Sequence, residues 1–179
     1  MYSIERLDHL FVTPIIAAKL HAVDNDALYN FCKKQEEIDK DPKYYSNRNG
    51  WQSEHIHNCD EVLEIKNNII NLLGDNSLDF KQMWFNINYP GSYNVLHQHG
   101  PFKWSGNYYI KTPENCGNIV LRDPRPGFLY NTHWNKGPVC YKQIKVEERL
   151  LLIFPSYLDH FVEQNKSSDE RISLAFDLS

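Results

Sequence analysis

Hydrophobic positions recur at helical spacing in the first part of the chain and at alternate positions in the second. Asp24 to Asp39 predicts a helix, with Leu28, Phe31 and Cys32 on one face and Asn25 or Asp26 available to cap the first turn. Asp60 to Leu73 predicts another. Val62, Ile65, Ile69, Leu72 and Leu73 share a face, Asn58 or Asp60 can cap it, and Gly74 ends it. Between them, Lys43 to Ser53 is polar and reads as a loop that carries an aromatic, Trp51.

Beyond Phe80 the period shortens to two. Strands are expected at Gln82–Tyr89 (stopped by Pro90-Gly91), Tyr93–His99, Trp104–Ile110, Asn118–Arg122, Arg149–Phe154, His160–Glu163 and Arg171–Leu178, with a turn at Asp123–Gly127. Short strands at this spacing predict a mainly β architecture, a sandwich or jelly roll, with the N-terminal helices on its outer face. No repeat or linker interrupts the pattern. One domain over residues 1–179 is expected, with helical support in 1–80 and a β-barrel core in 81–179.

The 179 residues are 41% hydrophobic, enough for a packed core. The formal net charge of -4 argues against duplex nucleic acid as a partner. No apolar run approaches the roughly 20 residues that span a bilayer. Glu5, Asp8 and Pro14 spoil the N-terminal stretch as an export signal. Cys32, Cys59, Cys116 and Cys140 form no CxxC pair and are expected as reduced thiols in a cytoplasmic setting, where the Asn165-Lys166-Ser167 sequon has no meaning. Exposed edge strands would allow a homodimer.

Among the eight histidines, His97-x-His99 lies at the end of an expected strand. Residues two apart on a strand share a face, so both imidazoles can reach one metal ion. His160 begins another strand and is the candidate third ligand. Arg171 and Ser173 also share a face. A guanidinium beside a hydroxyl suits a carboxylate, and an inward-facing arginine requires an anionic partner.

The pattern Asn94-x-x-His97-x-His99, Ser105-Gly106-Asn107-Tyr108-Tyr109, Phe154-Pro155, His160 and Glu170-Arg171-Ile172-Ser173 resembles the Fe(II)/2-oxoglutarate-dependent oxygenases. More narrowly, it is similar to a family of short oxygenases common in marine bacteria and phages, which Thr13-Pro14 and Gly50-Trp51-Gln52-Ser53 also resemble. The resemblance implies a double-stranded β-helix of jelly-roll, cupin-like form. It implies Fe(II) and 2-oxoglutarate as cofactors, with the distal carboxylate held by Arg171 and Ser173. It further implies consumption of O2, release of succinate and CO2, and hydroxylation of a small molecule or protein side chain, in the host cytoplasm if the source is viral. Asn94 and Tyr109 are further candidate cofactor contacts.

The sequence departs from the superfamily pattern at one place. The usual triad is two histidines and a carboxylate, and here the carboxylate position is His99. An all-imidazole triad is the favoured reading. A carboxylate from elsewhere, Asp123 or Asp159, and a weak metal site without oxygenase chemistry are the alternatives. Trp51 and Arg122 are candidate substrate contacts. His55-Ile56-His57-Asn58-Cys59 has ligand-type residues but no partner at zinc spacing, and reads as loop and cap. Two rival functions remain at this point: a cupin-type three-histidine metal protein acting without 2-oxoglutarate, and a non-enzymatic β-barrel module.

Overall fold

Side chains along the last strand, Arg171–Leu178, alternate between two environments, and this alternation organises the protein. The computed structural model describes residues 12–41, 43, 45–56, 59–125 and 140–179. Glu5 and Asp8, His57 and Asn58, and the Pro126-Gly127 part of the expected turn lie outside the described residues.

In chain order the elements are β1 (Ile16–Lys19), α1 (Asn25–Ile38), β2 (Asn47–Arg48), β3 (Trp51–Gln52), a 3-10 turn (Asp60–Val62) and α2 (Leu63–Leu73). There follow β4 (Phe80–Asn88), β5 (Tyr93–His97), β6 (Trp104–Lys111), β7 (Ile119–Arg122), β8 (Tyr141–Ile144), β9 (Leu150–Pro155), β10 (His160–Val162) and β11 (Arg171–Leu178). A six-stranded sheet runs β1-β9-β6-β11-β4-β3, and a five-stranded sheet runs β2-β5-β10-β7-β8. From β4 onward the chain passes back and forth between the sheets, and its pairings are antiparallel. This is the double-stranded β-helix that the resemblance implied.

On β11 the even-numbered residues Ile172, Leu174, Phe176 and Leu178 are buried with Phe85, Ile87 and Tyr108 and with Leu28, Ile65 and Ile69 of the helices. The odd-numbered Arg171, Ser173, Ala175 and Asp177 face the space between the sheets, opposite Asn88, Asn86, Trp84 and Gln82 of β4. A period of two therefore separates an apolar layer under the helices from a polar lining inside the barrel. A second cluster, which includes Leu121, Leu152, Phe154 and Leu158, fills another part of the barrel.

Helix α1 is held by a buried polar clamp as well as by its apolar face. Asn25 Oδ1 accepts from Tyr108 Oη at 2.6 Å, and Asn25 Nδ2 donates to the Ile110 carbonyl at 2.9 Å. The N-cap is Asp24, whose carboxylate accepts from the Ala27 amide, so neither expected cap residue serves. Helix α2 ends at Gly74, in the left-handed region at φ 64°.

The expected loop at 43–53 contains β2 and β3. Trp51 is buried at 3% exposure in the helix-side core, and its indole Nε1 donates to the Asp39 carbonyl at 2.7 Å. Its expected role in substrate contact does not hold, because on β3 it faces the helices. Strands β1 and β8 were not expected. β8 is mostly exposed, so it carries no burial pattern for the sequence to reveal. Among the described residues no helix is long and apolar enough to cross a membrane.

Candidate metal centre and its two cavities

Three imidazoles meet where the two sheets approach each other. His97 and His160 are direct register partners on β5 and β10. Their ring centroids are 4.3 Å apart. His99 lies just past the end of β5, not within a strand as expected. Its amide donates to the Ser156 carbonyl at 3.0 Å, which draws the segment toward the larger sheet. Its ring centroid is 5.2 Å from that of His97 and 5.0 Å from that of His160. Among the described residues these three form the group that could hold a metal ion, with donor atoms within 4.8 Å of one another.

The second nitrogen of each ring is already engaged. His97 Nδ1 is 2.7 Å from the Val95 carbonyl, His160 Nδ1 is 2.9 Å from the Leu158 carbonyl, and His99 Nδ1 is 2.7 Å from Asp177 Oδ1. Carbonyls and carboxylates only accept, so each Nδ1 carries the hydrogen. Each Nε2 then offers a lone pair, and the Nε2 atoms of His99 and His160 approach to 3.3 Å. Two lone pairs at that distance repel unless something shares them, and a cation does so. Burial, together with the neighbouring imidazoles, pushes His160 well below the usual histidine range. Burial and the neighbouring His99 bring His97 down to about 4. Both rings are neutral at physiological pH and ready to ligate.

Neither carboxylate alternative joins the cluster. Asp123 is bound by Arg125 at 2.6 Å, and Asp159 by Arg122 at 3.5 Å. Arg122, expected at the substrate, instead lines a separate cavity with Leu121, Asp123 and Pro124. His55 lines the mouth beside the centre rather than serving only as loop, and its ring centroid lies 6.1 Å from that of Trp84.

A narrow inner cavity leads from the histidines to Arg171, past Asn94, Tyr109 and Ser173. All four are residues that the sequence pattern offers as cofactor contacts. Arg171 is 2% exposed, and among the described residues no carboxylate pairs with it. Nη2 donates to Asn88 Oδ1 at 2.7 Å, Nη1 reaches the Gly117 carbonyl at 3.3 Å, and Nε has no partner. Burial draws its pKa below the usual arginine value. Asn86, the register partner of Ser173, leaves its buried Oδ1 unbonded in the same cavity. Asn94 is held by Asn88 and Ser46. Tyr109 reaches the cavity, while Tyr108 turns to the helices.

A wider outer cavity of about 400 Å³ opens on the other side of His97 and His99. Gln52, Gln82, Gln98, Tyr45, Trp84 and Asp177 contribute to its wall, and among the described residues no lysine or arginine does. Trp84 stacks on His99 with ring centroids 5.6 Å apart. Gln52 is the inward-facing neighbour of Trp51, so the sequence had located the right segment and the wrong face.

Asp177, Trp84, Asn86 and Asn88 were missed. Extending the parity of Arg171 and Ser173 by two more steps reaches Asp177, a charged residue in an apolar run. That signal was available.

Residues 82–177 match a family model described as "Putative 2OG-Fe(II) oxygenase". No curated protein matches the sequence. Among solved structures, the chain is similar to a viral collagen prolyl hydroxylase from Paramecium bursaria Chlorella virus-1 in complex with 2-oxoglutarate. The identity is 19% and the TM-score 0.65, over 92% of this chain and 94% of the other. It is also similar to a Pseudomonas putida prolyl-4-hydroxylase, at 17% identity and TM-score 0.62, over 94% of each chain. A third is HygX from Streptomyces hygroscopicus, with nickel and 2-oxoglutarate bound, at 12% identity and TM-score 0.62, over 93% of this chain and 83% of the other. At these identities the likeness is one of fold.

Proposed function

The chain belongs to the 2OG-Fe(II) oxygenase family whose model it matches over residues 82–177, and we propose that it hydroxylates a substrate bound in the outer cavity, using His97, His99 and His160 to hold Fe(II) and Arg171 and Ser173 to hold 2-oxoglutarate. The observation that carries this reading is the buried guanidinium of Arg171 without a carboxylate. A buried charge left without a counter-charge costs several kcal/mol, so the pocket is built for an anion that arrives with a ligand.

The residues present fit both groups. Three imidazoles with their Nδ1 atoms engaged turn Nε2 toward one point, and they leave coordination positions free for a chelating ligand. Arg171, Ser173 and the amide of Asn86 line the far end of the inner cavity, where a second carboxylate would lie. Bound iron with 2-oxoglutarate and O2 supplies C–H oxidation, one oxygen atom going to the substrate and one to succinate as CO2 leaves.

The protein's own work is positional. Arg171 and Ser173 fix the dicarboxylate by its far end. The Nδ1 acceptors hold each imidazole in one tautomer and orientation. The amides of Gln52, Gln82 and Gln98 and the ring of Trp84 favour a substrate with hydrogen-bonding groups and a flat apolar face, and Asp177, the carboxylate in this wall, is engaged by His99 and Ser105. The prolyl hydroxylases among the similar structures make a prolyl-type ring in a peptide a substrate to test first. The free thiols of Cys32, Cys59 and Cys116 suit a reducing, cytoplasmic compartment.

Anaerobic titration with Fe(II) and 2-oxoglutarate tests the assignment. A visible charge-transfer band of the chelate is expected in the wild type and lost in Arg171→Ala, while Fe(II) affinity is kept. Iron binding without a band would favour a metal centre acting directly on its substrate. Binding of neither would leave the histidines as structural residues.

A further inference from the structure

We propose that Asp177 supplies the negative charge of the metal centre, acting through His99 from one hydrogen bond behind it. This rests on the three imidazoles being the iron ligands. Their outer hydrogen bonds are unequal. His97 and His160 lean on backbone carbonyls, whereas His99 leans on a carboxylate.

Asp177 is 1% exposed. Its Oδ1 accepts from His99 Nδ1 at 2.7 Å and from Ser105 Oγ at 2.6 Å, and Ser105 is in turn 2.7 Å from Ser156 Oγ. Neither partner carries a fixed positive charge. A buried carboxylate with only such donors is incompletely compensated. A dication on the Nε2 of His99 provides the missing charge across a single ring. The site thus holds two buried charges of opposite sign, Arg171 awaiting an anion and Asp177 awaiting a cation.

Two consequences follow for the metal. Accepting the Nδ1 hydrogen raises the donor strength of Nε2 and locks the tautomer and plane of His99. The ring is also clamped from its face by Trp84 and from its backbone by Ser156, so Asp177 acts on a ligand with little freedom to turn away. Three neutral imidazoles by themselves leave the ion's charge uncancelled, and Asp177 offsets part of it from outside the coordination shell. It is a positioning residue, not a ligand.

Asp177→Asn preserves the shape and removes the charge. In this variant the dissociation constants for Fe(II) and Co(II) are expected to rise about 10- to 100-fold. The Fe(III)/Fe(II) midpoint potential is expected to rise as well, because a lost negative charge disfavours the ferric ion. Asp177→Glu, which keeps the charge, is expected to recover the wild-type potential, and it serves if Asp177→Asn fails to fold without metal. The sharpest test uses His99→Asp, which places a carboxylate directly on the metal. In that background Asp177→Asn should leave metal affinity unchanged or improved, because two adjacent carboxylates repel.

Metal affinity within twofold of wild type together with an unshifted midpoint potential in Asp177→Asn would overturn the inference while leaving the oxygenase reading standing. The same loss in both backgrounds, or a Glu variant with the potential of the Asn variant, would also overturn it and mark the residue as structural. A wild-type protein that binds no Fe(II) would overturn the oxygenase reading itself, and this inference with it.

Discussion

Arg171 Nη2 donates to Asn88 Oδ1 at 2.7 Å, so a neutral amide stands where a buried guanidinium would ordinarily meet a carboxylate. The two residues are register partners on β11 and β4, which places the contact deep in the barrel. An amide oxygen satisfies one N–H and leaves the charge uncompensated. The ligand-free protein therefore carries electrostatic strain at the position proposed to bind its cosubstrate.

Arg171→Met should make the ligand-free protein more stable, by about 1 kcal/mol or more, because an apolar chain of similar length replaces an uncompensated charge. The same variant should lose its response to 2-oxoglutarate. At 100 times its dissociation constant the cosubstrate should add about 2.7 kcal/mol to the wild type. Urea unfolding with and without 2-oxoglutarate measures both effects. A ligand-free variant less stable than wild type would show that the arginine is a structural residue.

Much of this site was legible because a strand converts sequence parity into direction. The shared face of Arg171 and Ser173 follows from that rule, whereas the pairing of His97 with His160 is a matter of register between strands distant in sequence. His99 joins the cluster for a different reason than the one expected. The expected strand stops at His97, and the Ser156 carbonyl and the Asp177 carboxylate draw His99 back toward the centre. Those contacts join residues far apart in sequence, which local patterns do not encode. Trp51 failed because a two-residue strand has no periodicity to read, and a shift of one position exchanges core for cavity. β8 failed because both of its faces are largely wet, so polarity alone could not distinguish it from a loop.

The clamp between Asn25 and Tyr108 should account for much of the attachment of α1. Asn25→Leu leaves the Tyr108 hydroxyl and the Ile110 carbonyl without their partner in a buried layer. A loss of about 2–3 kcal/mol is expected from the unmatched groups. Tyr108→Phe removes the hydroxyl itself and should cost less, about 1 kcal/mol. Because the clamp faces the helices, Fe(II) and 2-oxoglutarate affinities should be unchanged in both folded variants. Altered cosubstrate affinity in Tyr108→Phe would contradict the placement of its side chain away from the cavity.

Gly106 has no room for a side chain. A Cβ there would lie within 3.0 Å of the Leu152 carbonyl oxygen and of the Phe176 ring. The neighbouring strands β9 and β11 are fixed by their own ladders, so the backbone cannot retreat cheaply. Gly106→Ala should destabilise by about 2 kcal/mol or more. Gly106→Ala combined with Phe176→Leu relieves only the ring contact, so recovery in the double variant should be partial. Full recovery would locate the clash in the ring alone.

Alkaline pH should destabilise the protein through groups that folding keeps protonated. Burial raises the thiol of Cys32, with Glu36 adding to the shift, and burial likewise raises Cys116 and Tyr109. Tyr108 is pushed up to about 12, again by burial. In the unfolded chain thiols release their protons near pH 8.5 and tyrosines near 10. Above about pH 8.5 the unfolded state therefore binds fewer protons than the folded state, and stability falls as pH rises. Below that pH these groups are protonated in both states and contribute no slope. The urea midpoint should be flat across this transition's neutral side and decline beyond it. Cys32→Ala costs stability at every pH through the cavity it leaves, but its alkaline decline should be shallower than that of the wild type. An unchanged decline in Cys32→Ala would remove this thiol from the cause and leave the tyrosines and Cys116 to account for it.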